Sequence, residues 1–177
     1  MRHLIASLLL SLACLTAKAS MIFFAVALPA DQVEQLVNDE RQMLAVFGRN
    51  DGSVVNLDKA WHGLHYLFTG SPSDTKGALG QAILGGREIG KDLGYGPARV
   101  LSPEQVKNIS QALNALTTEG LAAKYDPLAM QRAEVYPTIW VREGPEGMRF
   151  LLNYLPGLQA FYKRAAEAGL SVVLILA

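Results

Sequence analysis

Residues 171–177 read SVVLILA, with no polar position after the opening serine. A strand with one wet face alternates polar and apolar side chains, so an unbroken run of this length marks a strand buried on both faces. Residues 21–28, MIFFAVAL, repeat the pattern at the other end, and Pro29 stops them at strand rather than helix length. Neither segment tolerates an exposed edge, so both are expected near the centre of one sheet. Ala98 to Leu101 offers a third, shorter strand. The fold class this predicts is α+β: a small mixed sheet that includes both terminal strands, covered by several helices.

Between the terminal runs the apolar period is mostly helical. After Pro29 the segment ADQVEQLVND turns Val33, Leu36 and Val37 inward, Glu40 to Phe47 suits a second short helix, and Arg49 to Gly52 suits a turn. Ser102, Pro103 and Gln105 compose a capping box with proline in the first helical position, ahead of a stripe of Val106, Ile109, Leu113 and Leu116. Asp126 separates two short helices, Glu119 to Tyr125 and Pro127 to Glu134, and caps the second. Met148 to Ala168 carries a helical pattern that Pro156 should kink or split near Asn153. Its wide face of Phe150, Leu151, Tyr154, Leu158, Phe161 and Tyr162 reads as core, and Gly169 ends it.

The chemistry-bearing residues concentrate between Leu57 and Arg99. LDKAWHGLHYLFTG reads as a helix from Leu57, with Asn56 as its cap and Leu57, Trp61, Leu64 and Phe68 as its apolar stripe. On that helix Asp58, His62, His65 and Thr69 would share one ridge, three or four residues apart. A carboxylate that orients an imidazole is one element of acid–base chemistry, but the same residues also suit a structural role beside Trp61. Two histidines three apart lack a third ligand at readable spacing, so no metal is expected. In ILGGREIGKDLGYGPAR, Lys76 to Leu84 suits a short helix, Gly85–Gly86 its end, and Gly90, Gly94 and Gly96 a set of tight turns. Glycine-rich loops cradle phosphates, yet neither dinucleotide nor P-loop spacing is present, and no cofactor is expected. The turns are expected to bring Tyr95 and Arg99 to one rim, on the same surface as the histidine ridge. The candidate site is therefore Asp58, Trp61, His62, His65, Tyr95 and Arg99.

These segments carry a resemblance. LDKAWHGLHYLFTG followed by AILGGREIGKDLGYGPARVLSPEQV, with KYDPLAMQRAEVYP and FYKRAAEAG further on, resembles the bacterial YfbM-like family, a domain family without an assigned function. The likeness runs from about Met21 onward. It implies a small bacterial α/β domain without a cofactor, and it carries over no catalytic residues.

Ahead of the domain lies a leader. Arg2 supplies a positive start, Leu4 to Ala13 an apolar run, and Ala17-Lys18-Ala19 a small-x-small cleavage site. The run is too short to span a bilayer, which needs about 20 residues. The expected organisation is a signal peptide over residues 1–19 and one domain over residues 20–177, periplasmic or secreted. Cleavage would remove Arg2 and Lys18, leaving 14 of the 16 basic residues against 16 acidic ones, and would remove the single cysteine, Cys14. Two alternatives stay open: a lipoprotein anchored through Cys14, and a cytoplasmic protein that starts at Met21.

The balanced charge and the lack of any basic block exclude a nucleic-acid partner. No G-x-S-x-G elbow and no zinc spacing occur. The function expected is a non-catalytic binding domain of the bacterial envelope, for a protein or a small ligand, with an immunity or accessory role as one form of it. The alternative is a small hydrolase-like enzyme using His62 or His65 as base and Asp58 to orient it. Oligomeric state is not legible.

Overall fold

The computed structural model describes residues 20–46, 49 and 51–177. The expected leader with Cys14, and Phe47 at the end of the second short helix, lie outside those residues. The chain enters through β1 (Phe23–Leu28), a 3-10 turn at Ala30–Gln32, α1 (Val33–Asn38) and α2 (Glu40–Val46). Then come β2 (Val54–Asp58), α3 (Trp61–Thr69), α4 (Gly77–Leu84), and the hairpin of β3 (Arg87–Asp92) and β4 (Pro97–Leu101). A helical run follows: α5 (Pro103–Asn114), α6 (Thr118–Ala122), α7 (Pro127–Arg132), α8 (Trp140–Glu143), α9 (Pro145–Leu152) and α10 (Leu155–Glu167). β5 (Ser171–Leu176) completes the sheet.

The sheet order is β2-β1-β5-β4-β3. β5 is central and β1 lies beside it, as their apolar sequences require. Every pairing is antiparallel, so the mixed sheet expected from the sequence is corrected in that respect. The continuous apolar runs arise without parallel pairing because both sheet faces are covered. Phe23, Ala25 and Ala27 of β1, with Val172 and Leu174 of β5, belong to the large core shared with α3 to α10. The alternate residues Phe24, Val26 and Leu28, with Val173 and Ile175, belong to a smaller core closed by Val33 and Leu36 of α1 and Met43 of α2. The period of two simply assigns each strand's side chains to one core or the other.

Two strands went unseen in the sequence reading. β2 occupies Val54–Asp58, where the helix of LDKAWHGLHYLFTG was expected to begin. Asn56 Oδ1 does accept a nearby backbone N–H, that of Asp58 at 2.7 Å, but as a turn that ends the strand and not as a helix cap. β3 carries the segment REIGKD, nearly all of it exposed, on the outer edge. Its charged residues suit an edge strand, where they discourage pairing with another chain.

From Ser102 onward the main helical expectations are met. Ser102 Oγ accepts from the Gln105 N–H at 3.3 Å, and Gln105 Oε1 accepts from the Ser102 N–H at 2.9 Å. Asp126 Oδ1 accepts from the N–H groups of Leu128 and Ala129. Pro156 divides the long apolar pattern, so α9 ends at Leu152 and α10 starts at Leu155. α10 then ties its neighbours together. Gln159 Nε2 donates to the carbonyls of Leu113 and Leu116 at the end of α5, and the buried Tyr162 hydroxyl donates to Ala82 O of α4 at 2.6 Å. Burial holds that phenol protonated, because the phenolate would lose its solvation.

Candidate functional site

The expected ridge does not form. β2 ends at Asp58 with φ 46°, and Lys59 and Ala60 turn the chain before α3 starts at Trp61. The angular arithmetic of one continuous helix therefore fails at Asp58; burial raises the pKa of the Tyr154 phenol, and the charge of the Asp58 carboxylate adds to the rise. The rest of the stripe is correct: Leu57, Trp61, Leu64 and Phe68 are all buried.

The two histidines have separate environments. His62 Nδ1 accepts the Tyr136 N–H at 2.9 Å, while Nε2 stands 2.9 Å from the Pro72 carbonyl. A backbone N–H can only donate, so Nδ1 carries no proton and Nε2–H donates to Pro72. That fixes one neutral tautomer. Burial lowers the His62 pKa in the same sense, and the Pro72 bond opposes it in part. The ring also stacks on Trp61, with centroids 4.7 Å apart.

His65 is 0 % exposed, and neither ring nitrogen has a hydrogen-bond partner among the described residues. Burial, with repulsion from His62, pulls its pKa down to about 4 against an opposing pull from Asp74. The Thr69 hydroxyl bonds the His65 backbone carbonyl and leaves the ring alone. An imidazole sealed from solvent and another bonded at both nitrogens offer no open base.

What α3 does hold is the loop behind it. Thr69 Oγ1 bonds the carbonyl and N–H of Ser71, and His62 holds the Pro72 carbonyl. Replacing His62 by alanine would leave the Tyr136 N–H without its acceptor and release this loop. We expect a loss of about 1–3 kcal/mol, the usual penalty for orphaning a partly buried donor. Urea denaturation measures it, and an unchanged midpoint would show that the bonds contribute nothing.

Tyr95 and Arg99 do reach one rim, through the hairpin that the glycines form. Asp92 Oδ1 accepts from the N–H groups of Gly94 and Gly96 at 2.7 and 3.1 Å, and Leu93 N–H closes the turn on Gly96 O at 3.0 Å. Gly94 and Gly96 adopt φ of 107° and 98°, which a side chain at either position would resist. The fixed turn presents Tyr95, 37 % exposed, beside Arg99.

Beneath that rim the sheet opens. β4 pairs with β5 from Leu101–Val172 to Arg99–Leu174 and no further. On its other side Ala177 exchanges both backbone bonds with Ile22, so by alternation the backbone groups of Leu176 point toward β4. The residue they meet there in register is Pro97, which has no N–H to give. The result is a slot of about 250 Å³ at the end of the sheet. Phe23, Leu174 and Leu176 form its strand side, Ile83 and Leu84 of α4 face them, and Ser73 and Thr75 of the loop held by α3 border it. Thr75 has no signal in the sequence, since GSPSDT reads only as a loop, and Ser73 stands out there only as one of several hydroxyls that a histidine could reach.

A larger groove of about 680 Å³ lies between α1 and the β3–β4–α5 region, where Asp31 and Glu34 face Arg87. It is wide open and mixed in charge. Among the described residues no group of three or more His, Cys, Asp or Glu could hold a metal, and no helix is long and apolar enough to cross a membrane.

Fold and slot together define a small α+β domain with a two-sided antiparallel sheet and a notch beside its central strand. The chain belongs to the family described as Domain of unknown function (DUF1877), which matches residues 20–175. Among solved structures, YfbM from Escherichia coli, itself a protein of unknown function, is similar with a TM-score of 0.69 at 17% sequence identity. That likeness covers 89% of this chain and 100% of the YfbM chain, and at this identity it speaks for the fold alone. No curated protein matches the chain.

Proposed function

We infer that the protein is an exported, non-catalytic binding domain whose ligand site is the slot at the end of the sheet. The observation that carries the reading is the construction of the slot: an apolar interior bordered by polar tips, walled by a hairpin turn and a loop that are each pinned by side-chain hydrogen bonds. Concave, largely apolar sites with a few placed polar groups are the usual form of small-molecule pockets. The hydrolase alternative loses its support, since its base would have to be His62 or His65 and its orienting carboxylate, Asp58, stands elsewhere.

Export has its own support. The leader has the charge, apolar run and small-x-small ending of a signal peptide, and the family match begins at residue 20, directly after Ala19. Expression of the whole reading frame, followed by mass spectrometry of the mature N-terminus, tests it. A Ser20 start in the periplasm is expected. A lipidated Cys14 start would make the protein membrane-anchored, and a cytoplasmic chain starting at Met21 would refute export.

The slot reading is tested by NMR with a panel of small fragments. Shift changes should cluster at Ser73, Thr75, Leu84, Tyr95 and Arg99, and should vanish in Leu84→Trp, whose larger side chain fills the slot. Thermal melting of the variant checks that it remains folded. Fragments that gather elsewhere, or that bind Leu84→Trp equally well, would sink the reading.

A further inference from the structure

We propose that the slot takes a small amphipathic anion: an apolar body about the size of one aromatic ring, bearing a carboxylate that Arg99 receives. This rests on the slot being the ligand site. Among the described residues that line it, Arg99 is the single charged one, and no carboxylate lines it. The apolar interior is otherwise Phe23, Ile83, Leu84, Leu174 and Leu176, all but Leu84 and Leu176 nearly sealed from water. A body buried there gains the usual transfer free energy of apolar surface, and the volume limits it to something smaller than a drug-sized ligand.

Arg99 is positioned to receive the other end. Alternation along β4 puts Arg99 on the same sheet face as Leu101, which faces the large core, so its side chain leaves the sheet on the slot's side. It is 38% exposed, at the mouth and not beneath it. Among the described residues its partner is Glu88, directly opposite on β3, through Nη2 to Oε1 at 2.7 Å. Glu88 is 58% exposed, and an ion pair in water at that exposure contributes little. A guanidinium has five N–H donors in a planar fork, so it can keep Glu88 and still grip a ligand carboxylate with others. The pair then orients the fork across the mouth. The hydroxyls of Ser73 and Thr75 on the facing wall supply neutral donors to the same anionic end, and the Tyr95 ring borders the body.

The larger groove supports no such assignment, because Asp31 and Glu34 line it together with Arg87. A cationic ligand is disfavoured in the slot, whose lining holds Arg99 and no carboxylate.

The test compares phenylacetate with phenylacetamide, of nearly the same shape and without the charge, by NMR titration of the purified protein. Phenylacetate should bind saturably at the slot, at least tenfold tighter than the amide, and should weaken as salt is raised. Arg99→Gln should abolish that preference while leaving the amide's affinity within about twofold. Thr75→Val should weaken the acid by a smaller factor than Arg99→Gln does. If both compounds bind the slot equally, or Arg99→Gln leaves the preference intact, the anionic assignment is wrong while the slot remains the ligand site. If neither binds the slot and the fragment panel also avoids it, both readings fall.

Discussion

Replacing Trp140 by alanine is expected to lower the unfolding free energy by about 3–5 kcal/mol, within the range for aromatic truncations in a closed core. Trp140 is fully buried, and its indole N–H donates to Val135 O at 2.6 Å, so the change leaves a cavity and removes one of the two bonds that this carbonyl accepts, the other coming from the Thr138 N–H. The ring packs where α8 meets α3. A methyl group built on Gly63 would stand 2.7 Å from Trp140 Cη2 and 2.6 Å from Leu151 Cδ2, so the absence of a side chain at Gly63 lets the helices approach. Gly63→Ala alone should therefore destabilise by about 1–3 kcal/mol through overpacking. In the Trp140→Ala background that penalty should shrink, since part of the obstruction has gone, and a double-mutant cycle by urea denaturation reads the coupling directly. Strictly additive effects would mean the two residues do not share the contact.

His65 should make the protein sensitive to mild acid. In the unfolded chain its pKa is near the ordinary value of 6.5, whereas in the folded core it is about 4. Above pH 6.5 both states are neutral at this site and it contributes nothing to the pH dependence. Below 6.5 the unfolded state takes up a proton that the native state refuses, so stability falls steadily until the folded ring also titrates near pH 4. The lost increment is about 3 kcal/mol by linkage. His62, also lowered by burial, adds in the same direction, and Asp74 works against it. His65→Leu should remove this slope and leave the protein at least as stable at pH 7.5, because no imidazole nitrogen is bonded there. Urea unfolding at pH 7.5, 5.5 and 4.0 compares the two, and parallel profiles would refute the assignment.

The sequence was informative wherever one local rule acted alone. The capping box at Ser102, the split at Pro156 and the two-sided burial of β1 and β5 are each written in adjacent residues, and each is found in place. Reading failed where two rules competed for the same residues. In Val54 to Asp58 a short strand runs straight into a helical stripe, and the apolar positions Leu57 and Trp61 fit both periods. Only the left-handed turn at Asp58 separates them, and it also removes Asp58 from His62. In Arg87 to Asp92 the glycine and the charges hid a strand that exists through its pairing with β4. For the candidate site, the glycine turns pointed to Tyr95 and Arg99 through the stiffness they impose. Ser73 and Thr75 had no comparable signal, since their place beside the slot depends on bonds from His62 and Thr69 to the loop backbone. His65 looked equivalent to His62 in sequence, and only packing made one a bonded tautomer and the other a sealed base.

The order of the sheet also has a consequence for how the chain is made. β1 and β2 pair with each other, as do β3 and β4, but neither pair touches the other within the sheet except through β5. That strand leaves the ribosome after the other four. Until it arrives, the two pairs lack the strand that joins them, with β1 and β4 each missing a neighbour, and the β1–β5 contacts that then form span most of the sequence. Long-range pairing of this kind is slow to form. The native sheet therefore closes only after β5 has been made, whatever local structure the earlier segments have already formed.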